Sequence, residues 1–375
     1  MLRLTVLLTA ITICGSYAMA QIVVNSPYSK GIRLIAADSS FATKMNVRIQ
    51  QRYDGSMVEG SDQYTDLMQV RRARLKFDGW AYNPKYGYKM EFDLVSGNVL
   101  DAILKWKINK NTELWFGQTK LPGNIERVIS SQKLQFVDRS LLNSQYNIDR
   151  DKGVWLRHNL MLGNMPVRTI AAITQGEGRN FKSTSTGHDY TGRIEFWPLG
   201  KFTGKGDYFA ADLKRESTPK LIMGVTYDYN EGAVRESGQR GDELTESRNI
   251  SSLFADMHFK YNGWSVMCEY VNRETDKTPA IYDETTGDFV GTFNIGSALN
   301  CQTGYMFKDN WEIAGRYTAI DHASETKLTD ITEFTLGLSH YILDHKLKAQ
   351  TDISLNQRDG LADRYIFRLQ VEIGL

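Results

Sequence analysis

The sequence predicts an all-β protein, a transmembrane 16-stranded antiparallel β-barrel. Three observations lead to this prediction. Apolar and polar residues alternate in segments of about ten residues, which is the length that a tilted strand needs to cross a bilayer. The connections between these segments are alternately short and long. No apolar run after the N-terminus approaches the roughly twenty residues that a membrane-spanning helix requires.

The N-terminal residues 1–20 have the pattern of a secretory signal peptide. Arg3 supplies a small positive region, an apolar stretch follows as far as Ile13, and Ala18-Met19-Ala20 offers a small-residue cleavage site. We therefore expect a cleaved leader, export to the periplasm and insertion into the outer membrane of a Gram-negative bacterium. Residues 21–40 would form a short N-terminal segment and residues 41–375 the barrel.

The strands are defined by strict alternation, which is clearest in residues 70–94. There basic and apolar residues alternate, the chain turns at Asn83-Pro84-Lys85, and the alternation resumes. Because successive side chains leave a strand on opposite faces, each strand has one apolar and one polar face. The predicted strands begin near Lys44, Leu67, Tyr86, Val99, Thr112, Lys152, Pro166, Tyr190, Lys220, Ser251, Trp264, Gly296, Trp311, Ile331, Lys346 and Arg364.

The connections fall into two sets. The short set carries the Asn, Gly, Pro and Asp residues of tight hairpins and comprises 83–85, 109–111, 162–165, 262–263, 308–310 and 343–345. The long, polar set comprises 54–66, 121–151, 176–189, 230–250, 274–295 and 321–330. Short turns at one rim and long loops at the other are typical of outer-membrane barrels. Two connections depart from the rule: 96–98 is short and 198–219 is long, and the structure of 198–219 stays open.

The two faces of the strands have different environments. Apolar residues such as Leu336, Leu338 and Val371 are expected to face lipid, while the opposite face carries many charged residues. Such charge cannot fill the dry core of a β-sandwich without extensive pairing, whereas sixteen strands enclose a channel of water. Aromatic residues near the strand ends suit an interfacial girdle, although they could also pack a soluble sandwich.

Three segments resemble the phosphate-selective porin O and P family. They are "RRARLKFDGWAYNPKYGYKMEFD" at 71–93, "LWFGQTKLPGNIERVISSQKLQFVDRSLLNS" at 114–144 and "DRDKGVWL" at 149–156. The resemblance implies an outer-membrane porin that passes small hydrophilic solutes, with a preference for phosphate or similar anions. It also implies a homotrimer, and a long third loop, about 121–151, that folds into the lumen as a constriction. Apolar residues within this loop, which a freely solvated loop would not need, favour the same arrangement.

The resemblance also indicates where anions would be bound. In this family anion preference is attributed to Arg and Lys residues along the channel, and alternation places a corresponding set on the inward face: Arg48, Arg52, Arg72, Arg74, Lys76, Lys89 and Lys105. The constriction loop region adds Lys120, Arg127, Lys133 and Arg139. Two alternatives stay open. The wall residues could be neutralised by neighbouring acids, and the loop residues could serve only to tether the loop.

Other functional classes find less support. The six histidines are dispersed and no hydrolase, metalloprotease or phosphate-loop motif occurs, so we expect no enzyme and no cofactor. The formal net charge of +1 gives no reason to expect a nucleic-acid partner. An unselective pore and a surface adhesin remain alternatives, and "YDETTGD" at 282–288 is either a calcium-binding loop or a solvated turn.

The two cysteines that follow the leader, Cys268 and Cys301, lie near the middle of consecutive predicted strands. Alternation places both of them on the lipid side. An oxidising compartment would permit a disulfide between them. We expect instead two small apolar residues that are not bonded to each other.

Overall fold

The computed structural model describes residues 23–25, 31–182 and 187–375, so the predicted signal peptide lies outside the described residues. The strands are β1 (Val23–Asn25), β2 (Ile32–Ile35), β3 (Phe41–Val58), β4 (Tyr64–Ala81), β5 (Tyr86–Asp93), β6 (Asn98–Lys107), β7 (Thr112–Lys120), β8 (Arg150–Leu162), β9 (Met165–Thr174), β10 (Asp189–Phe196), β11 (Lys220–Arg235), β12 (Glu243–Tyr261), β13 (Trp264–Thr275), β14 (Ala280–Tyr282), β15 (Phe289–Thr292), β16 (Gly296–Met306), β17 (Trp311–His322), β18 (Ile331–His345), β19 (Leu347–Arg358) and β20 (Arg364–Gly374). The helices are α1 (Ile125–Val128) and α2 (Leu141–Tyr146), with 3₁₀ turns at Ser131–Lys133, Thr203–Tyr208 and Ser324–Thr326.

Sixteen long strands, β3 to β13 and β16 to β20, form a closed antiparallel barrel. Each pairs with its neighbour in sequence, and β20 pairs with β3 to close the sheet, with Gly374 opposite Arg48. The short strand β2 continues the wall beside β3, where Ile35 lies opposite Ala42. Strands β14 and β15 form a separate hairpin in a long loop. The predicted barrel of sixteen strands is confirmed.

The predicted strand starts agree with the structure to within three residues, with one exception. Strand β12 begins at Glu243 rather than near Ser251 because β11 and β12 continue to pair beyond Asn230 through two register shifts. Alternation weakens where a strand rises above the bilayer, since neither face there must be apolar. The sequence pattern therefore missed this extension.

The short connections form tight hairpin turns. Between β12 and β13 the turn consists of Asn262 and Gly263, both with positive φ (48° and 94°). This combination gives the backbone twist that a two-residue hairpin needs, and Asn-Gly is the sequence that favours it. By the usual arrangement of such barrels, the rim with the short turns faces the periplasm and the rim with the long loops faces the outside.

One feature of the strands differs from the prediction. Cys268 and Cys301 lie directly opposite each other on β13 and β16 and are joined by a disulfide. The expectation of two unbonded residues was wrong, because sequence alone does not give the register that brings the sulfur atoms together. No helix in the described part of the chain is long and apolar enough to cross a membrane.

Candidate functional site

The connection between β7 and β8, residues 121–149, is called the long loop here, and it lies against the inner wall of the barrel. The Gln135 side-chain amide donates to Ser265 Oγ at 2.9 Å and to Glu312 Oε1 at 2.6 Å. The Gln302 amide in turn donates to Gln135 Oε1 at 3.0 Å. Ser265, Gln302 and Glu312 are inward-facing residues of β13, β16 and β17, so the middle of the loop occupies one side of the lumen.

Small residues in the wall make room for the long loop. A Cβ atom on Gly304 would lie 2.0 Å from Gln135 Nε2, and one on Gly337 would lie 2.9 Å from the Phe136 ring. Contacts that short do not occur between real side chains, so a larger residue at either position would force the Gln135 or Phe136 side chain to move. The two glycines on β16 and β18 mark where the loop is seated.

Apolar residues hold both ends of the long loop. Leu142 and Tyr146 of α2 pack with Phe254 and Val271 of the wall, while Ile125 and its neighbours pack with Trp197. The apolar residues of the loop are mostly buried, with Ile125, Ile129, Leu134, Phe136 and Leu142 at most 2% exposed. The inner face of this barrel is therefore partly apolar, and that part is covered by the loop.

Three arginines bind one loop carboxylate, Asp138, and are called the arginine clamp. Arg52, Arg71 and Arg72 reach the Asp138 carboxylate at 2.6, 3.0 and 3.2 Å. Burial alone would raise the pKa of Asp138, but the three guanidinium groups hold it well below its usual range. The arginine clamp thus fixes the loop to β3 and β4.

A β-bulge brings Arg71 into the arginine clamp. Gln50 lies opposite Arg72, whereas Gln51 lies opposite Val70, so Arg71 is an extra residue in β4. Strict alternation would have sent Arg71 to the lipid side, because its neighbour Arg72 faces inward. The predicted site omitted Arg71 for this reason, because nothing in the alternation of residues indicates a bulge.

Two cations cover the carbonyl end of the short helix α1. Lys120 Nζ donates to the carbonyl oxygens of Arg127, Val128 and Ile129 at 2.6, 3.3 and 3.3 Å. Arg139 donates to Glu126 O at 3.1 Å and to Ile129 O at 2.7 Å. Neither Lys120 nor Arg139 has a carboxylate within 4 Å in residues 31–182 and 187–375. Both side chains therefore bind backbone carbonyl oxygens in place of a paired acid.

Three cavities run along the part of the wall that the long loop leaves uncovered. Two of them, of about 190 and 200 Å³, share Arg74, Lys89, Glu91 and Ser130. The third, of about 520 Å³, opens near the β4–β5 turn at Pro84. An ion pair of 3.0 Å between Lys76 and Asp78 links the second cavity to the third. Together these cavities, called the open path, extend along the inner wall toward the turn side of the barrel.

The charge along this path is strongly positive. The acidic side chains in the three cavities are Asp78, Glu91, Glu113 and Glu195. The basic side chains are Arg33, Lys44, Arg48, Arg74, Lys76, Lys89, Lys105, Lys107, Lys120, Arg127, Lys133, Arg139, Arg150, Arg157, Lys205 and Lys346. Sixteen basic side chains thus line the cavities against four acidic ones, and three further acids, Asp101, Asp149 and Glu372, pair with some of these cations from outside the lining. The surplus is local to the open path.

Most residues predicted for the site line these cavities. Arg74, Lys89, Lys120, Arg127 and Arg139 line the first, Arg48, Lys76 and Lys133 the second, and Lys105 the third. Arg52 and Arg72 line none of the three, because both are engaged in the arginine clamp. The prediction did not include Arg157, Lys205 or Lys346. Arg157 is two positions from the inward-facing Trp155 on the same strand, so alternation could have identified it. Lys205 lies in the 198–219 connection, whose structure the sequence did not predict.

The cations of the path differ in how far they are neutralised. Arg74 is 3.0 Å from Glu91, Lys89 pairs with Asp101, and Arg127 pairs with Asp149. Three others contact aromatic rings instead. Lys105 and Arg157 both lie 4.3 Å from the centre of the Trp115 ring, and Lys133 lies 3.6 Å from that of Phe209. An aromatic face holds a cation in place without cancelling its charge.

The connection between β10 and β11, residues 197–219, also folds inward and is called the inward segment. Lys260 Nζ donates to Gly206 O at 2.9 Å and to Ala211 O at 2.7 Å. Ala210 N donates to Lys133 O at 2.9 Å, so the inward segment meets the long loop. The 198–219 connection, which is long where the sequence pattern expects a short turn, thus forms a second segment that narrows the lumen. It enters the lumen from the turn side.

Comparison with known proteins gives consistent results. A family described as phosphate-selective porin O and P matches residues 41–363. An uncharacterised protein of Aquifex aeolicus is 22% identical over 377 aligned positions, covering 88% of this chain and 86% of that protein.

Solved structures show a similar fold at low sequence identity. An OmpT loop-deletion mutant of Vibrio cholerae aligns with a TM-score of 0.58 and 12% identity, covering 90% of this chain and 100% of that one. The anion-selective porin from Comamonas acidovorans aligns with a TM-score of 0.56 and 8% identity, covering 89% of this chain and 100% of that one. Salmonella typhi OmpF, solved with daunomycin, aligns with a TM-score of 0.58 and 12% identity, covering 89% of this chain and 98% of that one.

Proposed function

Since the chain belongs to the phosphate-selective porin O and P family, we propose that its barrel is a passive channel that prefers small anions, with phosphate as the reference solute. Members of this family are outer-membrane porins, and the barrel fold agrees with that location. The observation that carries the preference for anions is the surplus of sixteen basic over four acidic side chains along the open path.

The mechanism follows from how an anion crosses a narrow polar passage. An anion that enters loses part of its hydration, and ordered ammonium and guanidinium groups replace those hydrogen bonds while they repel cations. Release requires that no single site bind too strongly. Cations spread over three connected cavities, several of them already sharing a carboxylate or a carbonyl oxygen, provide a series of moderate sites.

The constriction in this proposal is formed by two parts of the chain. The long loop fills the side of the lumen next to β13 and β16 to β20, and the inward segment narrows the turn side. Both leave open a path along β3 to β8 on the turn side of the arginine clamp, where Arg74, Lys89 and Arg157 lie. We propose that the residues of the first cavity form its most selective part because seven of its side chains are basic and two are acidic.

Assembly and export complete the proposal. The leader at residues 1–20 would be cleaved before insertion, and three copies would associate through their outer walls, as the family resemblance implies. No catalytic step is part of this function, since the family and the structural neighbours are porins.

Phosphate block of chloride current tests the proposal. Purified protein in a planar bilayer should conduct chloride, and added phosphate should reduce that current in a saturable manner. The Arg74→Gln variant should need more phosphate for the same block, because it removes a cation shared by two cavities. Chloride conductance that phosphate leaves unchanged would retain the channel and exclude phosphate as its solute.

A further inference from the structure

Trp115 on β7 lies where the first cavity of the open path meets the third. Trp115 and Arg157 line the first cavity, whereas Lys105 and Glu113 line the third. In the wall, Lys105 on β6 lies directly opposite Trp115, and Arg157 on β8 lies directly opposite Glu113. The contacts among these four side chains therefore form a direct connection between the two cavities.

The Trp115 side chain is held in one orientation. Its ring packs against the buried apolar cluster that contains Ile103 and Trp155, and its Nε1–H group donates to Glu113 Oε2 at 2.9 Å. Glu113 is two residues earlier on the same strand, so it shares the inward face. Because an indole has a single N–H to donate, this bond fixes the ring relative to the carboxylate.

Two cations contact the Trp115 ring in place of a carboxylate. Lys105 Nζ and Arg157 Cζ each lie 4.3 Å from the ring centre. In the part of the chain that the structure describes, neither cation has a carboxylate oxygen within 4 Å. The ring holds both side chains without cancelling their charge, so that charge is available to an anion in either cavity.

Glu113 and Arg157 are placed to form an ion pair but do not form one. Directly opposite residues of two antiparallel strands have Cβ atoms about 4.5 to 5.5 Å apart, and opposite charges at such positions attract each other. Trp115 engages both partners instead, because its N–H group binds the carboxylate and its ring contacts the guanidinium group. The Arg157 donors are consequently left to the first cavity, which this residue lines.

We propose that Trp115 maintains the anion preference at the junction of the first and third cavities by keeping the Glu113 carboxylate apart from the Arg157 guanidinium group. This inference deepens the proposed function and rests on it. Trp115 is a positioning residue: Lys105 and Arg157 meet the anion, and Trp115 determines how much of their charge the anion meets. Without the indole N–H group, Glu113 would turn to Arg157 and occupy the donors that an anion uses.

A double-mutant cycle of reversal potentials tests the proposal. Trp115→Phe keeps an aromatic ring but removes the N–H group, so the reversal potential under a KCl gradient should move toward the potassium equilibrium potential. In a Glu113→Gln background the same substitution should cause no such shift, because no carboxylate is left to pair with Arg157. Only folded barrels conduct in the bilayer, so the recordings report on folded protein.

Trp106→Phe is the matched control, because Trp106 neighbours Lys105 on β6 but points to the lipid side and is 47% exposed. Its replacement should leave the reversal potential unchanged. Equal shifts from Trp115→Phe in the two backgrounds, or no shift in the wild-type background, would overturn the proposal, since either result would show that Trp115 does not hold Glu113 away from Arg157. The wild-type reversal potential separately tests the proposed function, and the differences between variants decide the role of Trp115 whatever that potential is.

Discussion

The contribution of each basic residue to the channel depends on what that residue touches. Alternation along the strands correctly placed Arg48, Arg74, Lys89 and Lys105 on the inner face, because side-chain direction follows from the strand alone. It could not show that Arg52 and Arg72 hold the loop, since the bonds to Asp138 join residues that are 86 and 66 positions apart. Nor could it place Arg71, because a bulge reverses the alternation there.

Lys133 should make the selectivity depend on pH. Burial, with a smaller contribution from Lys76, lowers the pKa of Lys133 to about 8, so the side chain is charged below that pH and loses its charge above it. At pH 9 about nine in ten Lys133 side chains would be neutral. The preference for chloride over potassium should therefore fall between pH 7 and pH 9, as measured by reversal potential in a planar bilayer.

Two substitutions make this test specific to Lys133. Lys133→Arg should lose less selectivity at pH 9 than the wild type does, because a guanidinium group stays protonated, and Lys133→Gln should be less selective than the wild type already at pH 7. Lys308→Gln, in an exposed turn, is the control and should behave like the wild type. A Lys133→Gln channel as selective as the wild type at pH 7 would remove Lys133 from the selective path.

Asp138→Asn should destabilise the protein. The substitution keeps the shape of the side chain but leaves the three guanidinium groups of the arginine clamp without their shared carboxylate. Removing one partner of a largely buried ion pair costs about 3 kcal/mol or more. Denaturant unfolding in detergent micelles should show a loss of this order, whereas Asp309→Asn in an exposed turn should change stability by less than about 0.5 kcal/mol. Equal stabilities for the two variants would mean that the arginine clamp does not hold the loop.

At the scale of elements, the sequence defines the strands well and their connections poorly. Strand starts could be predicted because each strand must present an apolar face to lipid and a polar face to the lumen. The path of the inward segment could not, because Lys260 and Lys133, which hold it, are remote in sequence from its backbone. Only the unexpected length of the 198–219 connection indicated that it has a structure of its own.

Removal of the inward segment should widen the channel. If residues 203–211 are replaced by a short Gly-Ser linker, Lys260 loses its carbonyl partners and the turn side of the lumen opens. Single-channel conductance should rise, while removal of residues 283–288 in the β14–β15 hairpin should not change it. Unchanged conductance without residues 203–211 would show that this segment does not restrict the flow of ions.

At the scale of the whole molecule, a nearly neutral chain concentrates its positive charge along one part of its inner wall. The barrel of sixteen strands followed from periodicity and loop lengths, and the family assignment agrees with the resemblance seen in three segments. Alternation alone could not predict this concentration, because it does not show which acids pair with which bases. The structure shows that much of the acidic charge, such as Asp138 and Asp256, is engaged elsewhere by arginines.

The central claim is that the open path prefers anions, and the reversal potential of the wild-type protein tests it most directly. Under a KCl gradient across a planar bilayer, the current should reverse on the side of the chloride equilibrium potential. A reversal near zero, or on the potassium side, would contradict the claim, because sixteen cations lining the path could not then govern which ion passes.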